Sequence, residues 1–164
     1  MLDSTVEILS LYISNPYIII ILISMIPVIE SRGSIPYGIL VLGLPWYKVV
    51  VVSIIANFLI TIPIIYLLDP ISRYFRRFRI SKNFFNWLFA RSERKGGIIN
   101  KLKVVGLIIF IGIPLPVTGA WTGCVAANIF RINKFYTLIG VFFGILISVM
   151  IITALTLTGK TFFS

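Results

Sequence analysis

Two long apolar stretches, each broken part-way, set the pattern of this chain. From Tyr17 to Ile26 about ten residues are apolar, which at 1.5 Å per residue reaches roughly 15 Å, half of a 30 Å hydrocarbon core. Pro27 stops that run, the polar segment Glu30 to Ser34 follows, and a second short apolar arm from Tyr37 to Leu44 leads to Pro45 and Trp46. The economical reading is a re-entrant hairpin that dips to the midplane and returns, anchored at the interface by Trp46, Tyr47 and Lys48. Val49 to Leu68 is then an uninterrupted run long enough to span, with Pro63 a tolerable kink and Asp69 with Pro70 as its end.

The second half follows the same plan. Val104 to Ile113 is again half a crossing long, the break PLPVTGAWTG occupies Pro114 to Gly123, a return arm reaches Phe130, and a continuous span runs from Phe135 to Thr158. Matching Pro27 to Pro114 superposes both breaks and both spans, a similarity of layout. Two shorter segments read as interfacial helices. Residues 2–14 place Leu2, Val6, Leu9, Tyr12 and Ile13 on one stripe, and Ser81 to Arg94 gathers Phe84, Phe85, Trp87 and Leu88 on one side. Between the first of these and the first hairpin, Asn15 and Pro16 predict a helix start.

The expected fold is therefore all-α and integral to the membrane: an inverted repeat, each half an interfacial amphipathic helix, a re-entrant helical hairpin and one full transmembrane helix. A single membrane domain covers 1–164, with repeat 1 at 1–69, a basic linker and amphipathic helix at 70–100, and repeat 2 at 101–164. Composition agrees, since 59% of the 164 residues are hydrophobic and only 12% charged.

Charge assigns the sides. Most of the net +10 sits between Arg73 and Lys103, so the loop 70–103 is expected in the cytoplasm of a multi-pass protein of the cell membrane. That placement makes the basic residues a topology signal, and nucleic acid is not an expected partner. Lys101 and Lys103 precede the second hairpin and Arg131 and Lys134 follow it, so both its ends face inward. The first hairpin lies between an acidic N-terminus and the single Lys48, so its ends face outward and the two halves are inverted. The rival topology, four full spans with both termini inside, would export Arg131 and Lys134. The opening residues carry no basic n-region, so a removable signal peptide is not expected.

Chemistry is concentrated at the breaks. Glu30 and Arg32 are the ionisable side chains expected at midplane depth, where such residues are functional by default. Arg32 favours the charged form of Glu30, and a substrate that competes for Arg32 releases Glu30 to take a proton; the plainer alternative is a permanent internal pair at the hairpin tip. Each break also frees backbone N–H groups, around Gly33 to Tyr37 and Gly119 to Thr122. Two half-helix N-termini facing one midplane point suit phosphate or carboxylate. Gly33 and Gly119 permit tight or left-handed turns while Pro36, Pro114 and Pro116 fix the tips. Thr118, Trp121 and Thr122 offer hydroxyls and an aromatic wall, or plain packing. Asn57, inside the first span, is expected to hydrogen-bond a tip or to join helices.

Other classes are excluded by what the chain lacks. It has no histidine and a single cysteine, Cys124, so neither a metal site nor a Ser/His/Asp or Cys/His set forms. No P-loop or dinucleotide fingerprint is present, so no cofactor and no enzymatic activity are expected.

The order E-x-R-G-x-I-P at Glu30 to Pro36, with P-L-P-x-T-G-A-W-T-G at Pro114 to Gly123, resembles the putative small multidrug export protein family, and more distantly the DedA and SNARE-associated membrane proteins. Val117 stands where that family has glycine. The resemblance covers most of the chain from residue 25 onward. It implies two inverted re-entrant hairpins, a homodimer, and a role in transport, proton homeostasis or lipid movement. It also implies Glu30 as the proton or cation site and Arg32 with the turn after Pro116 as the substrate site. A homodimer is expected on backbone grounds too, because few helices are available to shield two broken hairpins.

Three functions follow as candidates. The first is a proton-coupled secondary transporter or lipid translocase binding an anionic phosphate or lipid headgroup. The second is a proton-coupled exporter of cationic lipophilic drugs, for which Arg32 is awkward. The third is a non-transporting scaffold whose basic loop recruits partners or anionic lipid.

Overall fold

A computed structural model describes residues 15–75, 96–115 and 118–163. The interfacial helices expected at 2–14 and 81–94 lie outside them, as do Pro116 and Val117. Among the described residues the chain is all-helical. The elements are α1 (Pro16–Met25), α2 (Glu30–Pro36) continuing into a π-helical turn (Tyr37–Val41), α3 (Trp46–Phe75), α4 (Gly96–Gly112), α5 (Ala120–Ile129) and α6 (Lys134–Phe163).

Local chemistry fixes the ends. The Asn15 side chain accepts from the Tyr17 N–H at 3.0 Å and Pro16 opens the first turn, as the sequence predicts. At the other end of α1, Ile26 is extended at φ −73° and ψ 128°, the conformation that Pro27 imposes on the residue before it. The helix resumes sooner than the sequence suggests. Glu30 donates its N–H to the Ile26 carbonyl at 3.0 Å and Gly33 to Ile29 at 3.2 Å, so Gly33 is already inside α2 and offers no free N–H. Nor does it turn the chain; the left-handed residue of this break is Glu30 itself, at φ 51°. Pro36 can neither donate within the helix nor fit an unperturbed turn, and the backbone widens directly after it, Leu42 bonding five residues back to Tyr37. Gly43, at φ 62°, ends this arm.

α3 and α6 are each 30 residues long. Their apolar stretches, Trp46–Leu68 at 23 residues and Lys134–Phe162 at 29, have mean hydropathies of 2.5 and 2.7 and are long enough to cross a membrane. α3 runs on through Asp69 and Pro70 to Phe75, past the end predicted for it. Each Pro inside it gives up one backbone bond, and a long helix absorbs that loss.

Contacts between side chains give the directions. Ser24 bonds Ser34, and a Cβ on Gly38 would meet Ile20, so α1 and α2 run antiparallel. The pairs Ser34 with Ser53 and Ser31 with Asn57 make α2 antiparallel to α3. In the second half, Gly123 of α5 abuts Ile111 of α4 and Lys103 Nζ donates to the Phe130 carbonyl at 3.1 Å, another antiparallel pair. Gly140 and Gly144 of α6 receive Leu107 and Ile111, which sets α4 parallel to α6. The long helices oppose each other, with Phe58 against Phe142 at 5.3 Å and the Lys134 ammonium 4.6 Å from the Tyr66 ring.

The core lies where the four shorter helices meet the facing stripes of α3 and α6. Val49, Ser53, Asn57, Thr61 and Ile65, spaced four apart, are all buried, as are Val141, Ile145, Ser148, Val149 and Ile152 opposite them.

Candidate functional site

The two breaks meet, and their contacts cross between halves. Glu30 stands at the first position of α2, its backbone held in the sparsely populated left-handed region, a strain of about 1–3 kcal/mol for a residue with a Cβ. That twist aims the carboxylate at the N-terminus of α5. Oε2 accepts from the Ala120 N–H and Oε1 from the Trp121 N–H, each at 3.2 Å. The carboxylate thus caps a helix 90 residues further along the chain, where the helix dipole and two otherwise unpaired donors favour a negative charge.

Gly119 makes the approach possible. It precedes α5 in an extended conformation, φ 178°, that any residue adopts, so its small size and not its flexibility is what the site uses. A Cβ there would stand 2.6 Å from Oε2 and 2.7 Å from Oε1 of Glu30. The Thr122 hydroxyl accepts from the Gly119 N–H at 2.9 Å, satisfying a further donor at the helix start.

Arg32, in the first turn of α2, reaches the other side of the same loop. Its Nη1 donates to the Leu115 carbonyl and its Nη2 to Thr118 Oγ1 at 3.3 Å. The Thr118 hydroxyl in turn accepts from the Leu115 N–H at 3.2 Å and lies 2.9 Å from the carbonyls of Ile113 and Leu115, closing the turn after Pro114. The contacts of Glu30 and Arg32 therefore run to the second break, where the sequence suggests an internal pair at one tip.

Three buried polar atoms here lack a hydrogen-bond partner among the described residues: Arg32 Nε, Trp121 Nε1 and Asn57 Oδ1. The other polar group of Asn57, Nδ2, donates to Ser31 Oγ at 3.3 Å. Two of the three orphans are donors, and unpaired buried donors are uncommon enough to call for a cause.

Of the residues singled out from the sequence, Glu30, Arg32, Thr118, Gly119, Trp121, Thr122 and Asn57 gather around this junction, and Pro114 forms the turn that Thr118 closes. Gly33 and Pro36 serve the first arm itself. A Cβ on Gly33 would fall 2.1 Å from Ile29, so it is a packing position, and Pro36 leads into the π-helical turn. Pro116 lies outside the described residues. Sequence reasoning passes over a chain of buried hydroxyls, Ser24 to Ser34 at 2.8 Å and Ser34 to Ser53 at 2.9 Å, which joins α1, α2 and α3. The available signal is the spacing of Ser53, Asn57 and Thr61, every fourth residue on one face of an otherwise apolar span.

No curated protein and no solved structure matches the chain. A family match does exist, and it begins at the residue that caps α5: the family described as "Putative small multi-drug export protein" covers residues 30–151, from Glu30 well into α6. That description is one of transport, not catalysis, and with the two long apolar helices it makes this a membrane protein. The match takes in both breaks and most of the sequence, and the chain belongs to the putative small multi-drug export protein family.

Proposed function

We propose that this protein is a DedA-like secondary transporter or lipid translocase. It binds a phosphate-bearing substrate, free or as a lipid headgroup, at the midplane between two re-entrant hairpins, and exchanges it for its own Glu30 carboxylate. One observation carries the reading: an internal carboxyl group already occupies the N-terminus of α5. The Ala120 and Trp121 N–H groups suit any compact anion, and Arg32 Nε and Trp121 Nε1 are further donors with no partner among the described residues.

The coupling follows from charge. A protonated Glu30 no longer offers the negative oxygens that hold it against two N–H donors, so the helix end is released to a phosphate oxygen while the proton stays on Glu30. Loss of the proton restores the cap and expels the substrate. Substrate anion and proton are thereby carried by one site in mutually dependent states.

The opposite directions of the two halves support an inverted repeat, with the first hairpin entering from outside, the second from the cytoplasm, and the loop 70–103 on the cytoplasmic side of the cell membrane. Half-spanning hairpins leave backbone near the midplane that other protein must cover. Val28 is 89% exposed at the tip of the first break, and Leu115 is exposed on the second. Both fit burial in a homodimer. A cysteine replacing Val28 is expected to crosslink two copies in native membranes, and recovery of monomer alone would remove the dimer.

The family description favours a second reading, export of cationic lipophilic compounds with Glu30 as the counter-charge. Arg32 separates the two. In proteoliposomes under a pH gradient, Arg32→Ala is expected to abolish phosphate or anionic-lipid movement. An undiminished anion flux, or a variant that moves lipophilic cations better than wild type, would favour the second reading. A scaffold acting through its basic loop predicts that neither flux exists and that neutralising Arg76, Arg77 and Arg79 is what destroys function.

A further inference from the structure

A fourth buried polar atom lacks a hydrogen-bond partner among the described residues, and it lies on α6, away from the breaks: Thr153 Oγ1. Threonine in a helix readily returns its hydroxyl to the carbonyl four residues back. The four other threonines of α6 do so, Thr137 to Asn133 at 3.1 Å, Thr156 to Ile152 at 2.7 Å, Thr158 to Ala154 at 2.8 Å and Thr161 to Leu157 at 2.9 Å. Thr153 is 7% exposed and makes no such bond. A buried hydroxyl without an acceptor calls for a cause.

Thr153 lines a groove of about 310 Å³ between the two long helices, with Trp46, Val50 and Ile54 on the α3 wall and Leu146 and Met150 on that of α6. None of the residues lining it is charged. Its depth follows from register. Phe58 stands against Phe142 and Tyr66 beside Lys134, so each step forward in α3 is one step back in α6, Trp46 is level with Ala154, and Ile54 is level with Leu146. The groove therefore starts where the first span starts, at half-exposed Trp46, and runs inward for about 12 Å, most of the roughly 15 Å depth of one leaflet's hydrocarbon. Thr153 stands at its interfacial end, and what lies deeper is hydrocarbon, including the adaptable and largely exposed Met150.

We propose that this groove is a binding site for a membrane glycerolipid: one acyl chain lies along Val50, Ile54 and Met150, and its ester carbonyl accepts the Thr153 hydroxyl. An occupant must be apolar over the groove's length and carry one acceptor at the interfacial end. A glycerolipid has that profile, with ester carbonyls just beneath the headgroup and hydrocarbon beyond. The volume is at the low end of ligand-sized clefts, about 300–1,000 Å³, so it admits one chain, and the absence of charge from its walls leaves the headgroup unselected. The site does not rest on the exchange proposed at Glu30, and its failure leaves that reading as it stands.

Fluorescence of the full chain with Trp46 as its one tryptophan (Trp87→Phe, Trp121→Phe) tests this. The protein is placed in vesicles of diether phosphatidylcholine, which has no ester carbonyl, and phosphatidylcholine with brominated chains is added in steps, as the diacyl or the diether form. The diacyl form should reach half-maximal quenching at about a fivefold lower mole fraction, the worth of one neutral hydrogen bond. Thr153→Val, which keeps the shape and removes the hydroxyl, should make the two forms equal, while Thr153→Ser should keep them apart. Equal quenching with Thr153 intact, or a preference that survives in Thr153→Val, overturns the assignment. Trp46 unquenched by either form also overturns it and means that protein, such as a second copy, covers the groove. Should Thr153→Val fail to assemble, Val50→Phe, which fills the groove from α3, must remove the difference between the two lipids; a difference that persists overturns the site.

Discussion

Glu30→Gln is expected to reduce proton-driven substrate flux to the background of empty vesicles while anion binding survives. The substitution keeps the shape of the side chain and removes its charge and its titration together. One carboxylate oxygen becomes an NH2 group, so one of the two α5 N–H donors now faces another donor in place of an acceptor. The internal competitor for the helix end is thereby weakened by about 1.5–3 kcal/mol, the worth of one charge-assisted hydrogen bond, so phosphate binding should tighten by roughly tenfold or more. A variant that merely fails to fold would lose both activities. The pair of measurements, flux under a pH gradient and equilibrium anion binding, therefore separates loss of coupling from loss of structure. Flux that persists at the wild-type level would exclude Glu30 as the proton carrier, whereas no flux in either protein would return the choice to a scaffold.

The second large effect is expected at a residue with no chemistry of its own. Gly119→Ala changes no backbone preference, because φ 178° is open to alanine, yet its new methyl would stand 2.6 to 2.8 Å from Oε2, Oε1 and Cδ of Glu30. Something must move, and Glu30 is pinned by its own left-handed backbone and by two N–H donors. Forcing the carboxylate away forfeits one or both bonds at about 1.5–3 kcal/mol each, so a loss on the order of 3 kcal/mol in stability is expected, together with transport. Thermal unfolding in detergent measures the first and vesicle flux the second. The cause is specific enough to be reversed. Glu30→Asp withdraws the carboxylate by one methylene, and the double variant should be more stable than the sum of the single effects predicts. If the two substitutions simply add, the collision is not what makes Gly119 necessary.

The breaks were legible because proline and charge are rare in apolar runs, and Glu30 and Arg32 stand out from Pro27 to Pro36 on that ground alone. What they bind was not. An ion pair two residues apart is the local solution, whereas both side chains take their hydrogen bonds from Leu115, Thr118, Ala120 and Trp121, more than eighty residues away, and nothing in one-dimensional spacing signals such a pairing. The glycines misled for a related reason. Gly33 and Gly119 read as turn residues, but one fits against Ile29 and the other makes room for a carboxylate; only three-dimensional proximity distinguishes size from flexibility. The buried serines escaped notice because a hydroxyl hardly alters the hydropathy of a long helix, although Ser53, Asn57 and Thr61 share one face. The ends of α1 and α5 were readable to within a residue or two from Asn15, Pro27 and Gly119, while α3 overran Asp69 and Pro70 because two adjacent breakers do not outweigh a helix already propagating.

The hydrogen bonds described here between the N-terminal half, 15–75, and the C-terminal half, 96–163, all issue from two side chains, Glu30 and Arg32, and all land within the seven residues from Leu115 to Trp121. Elsewhere the contacts described between the long helices are largely apolar, Phe58 against Phe142 among them. Among the described residues the halves are thus hydrogen-bonded at one central clasp, and it contains the carboxyl group proposed above to take the proton. On the proposed function, protonating Glu30 would therefore loosen the joint between the halves in the same step that frees the α5 N–H pair.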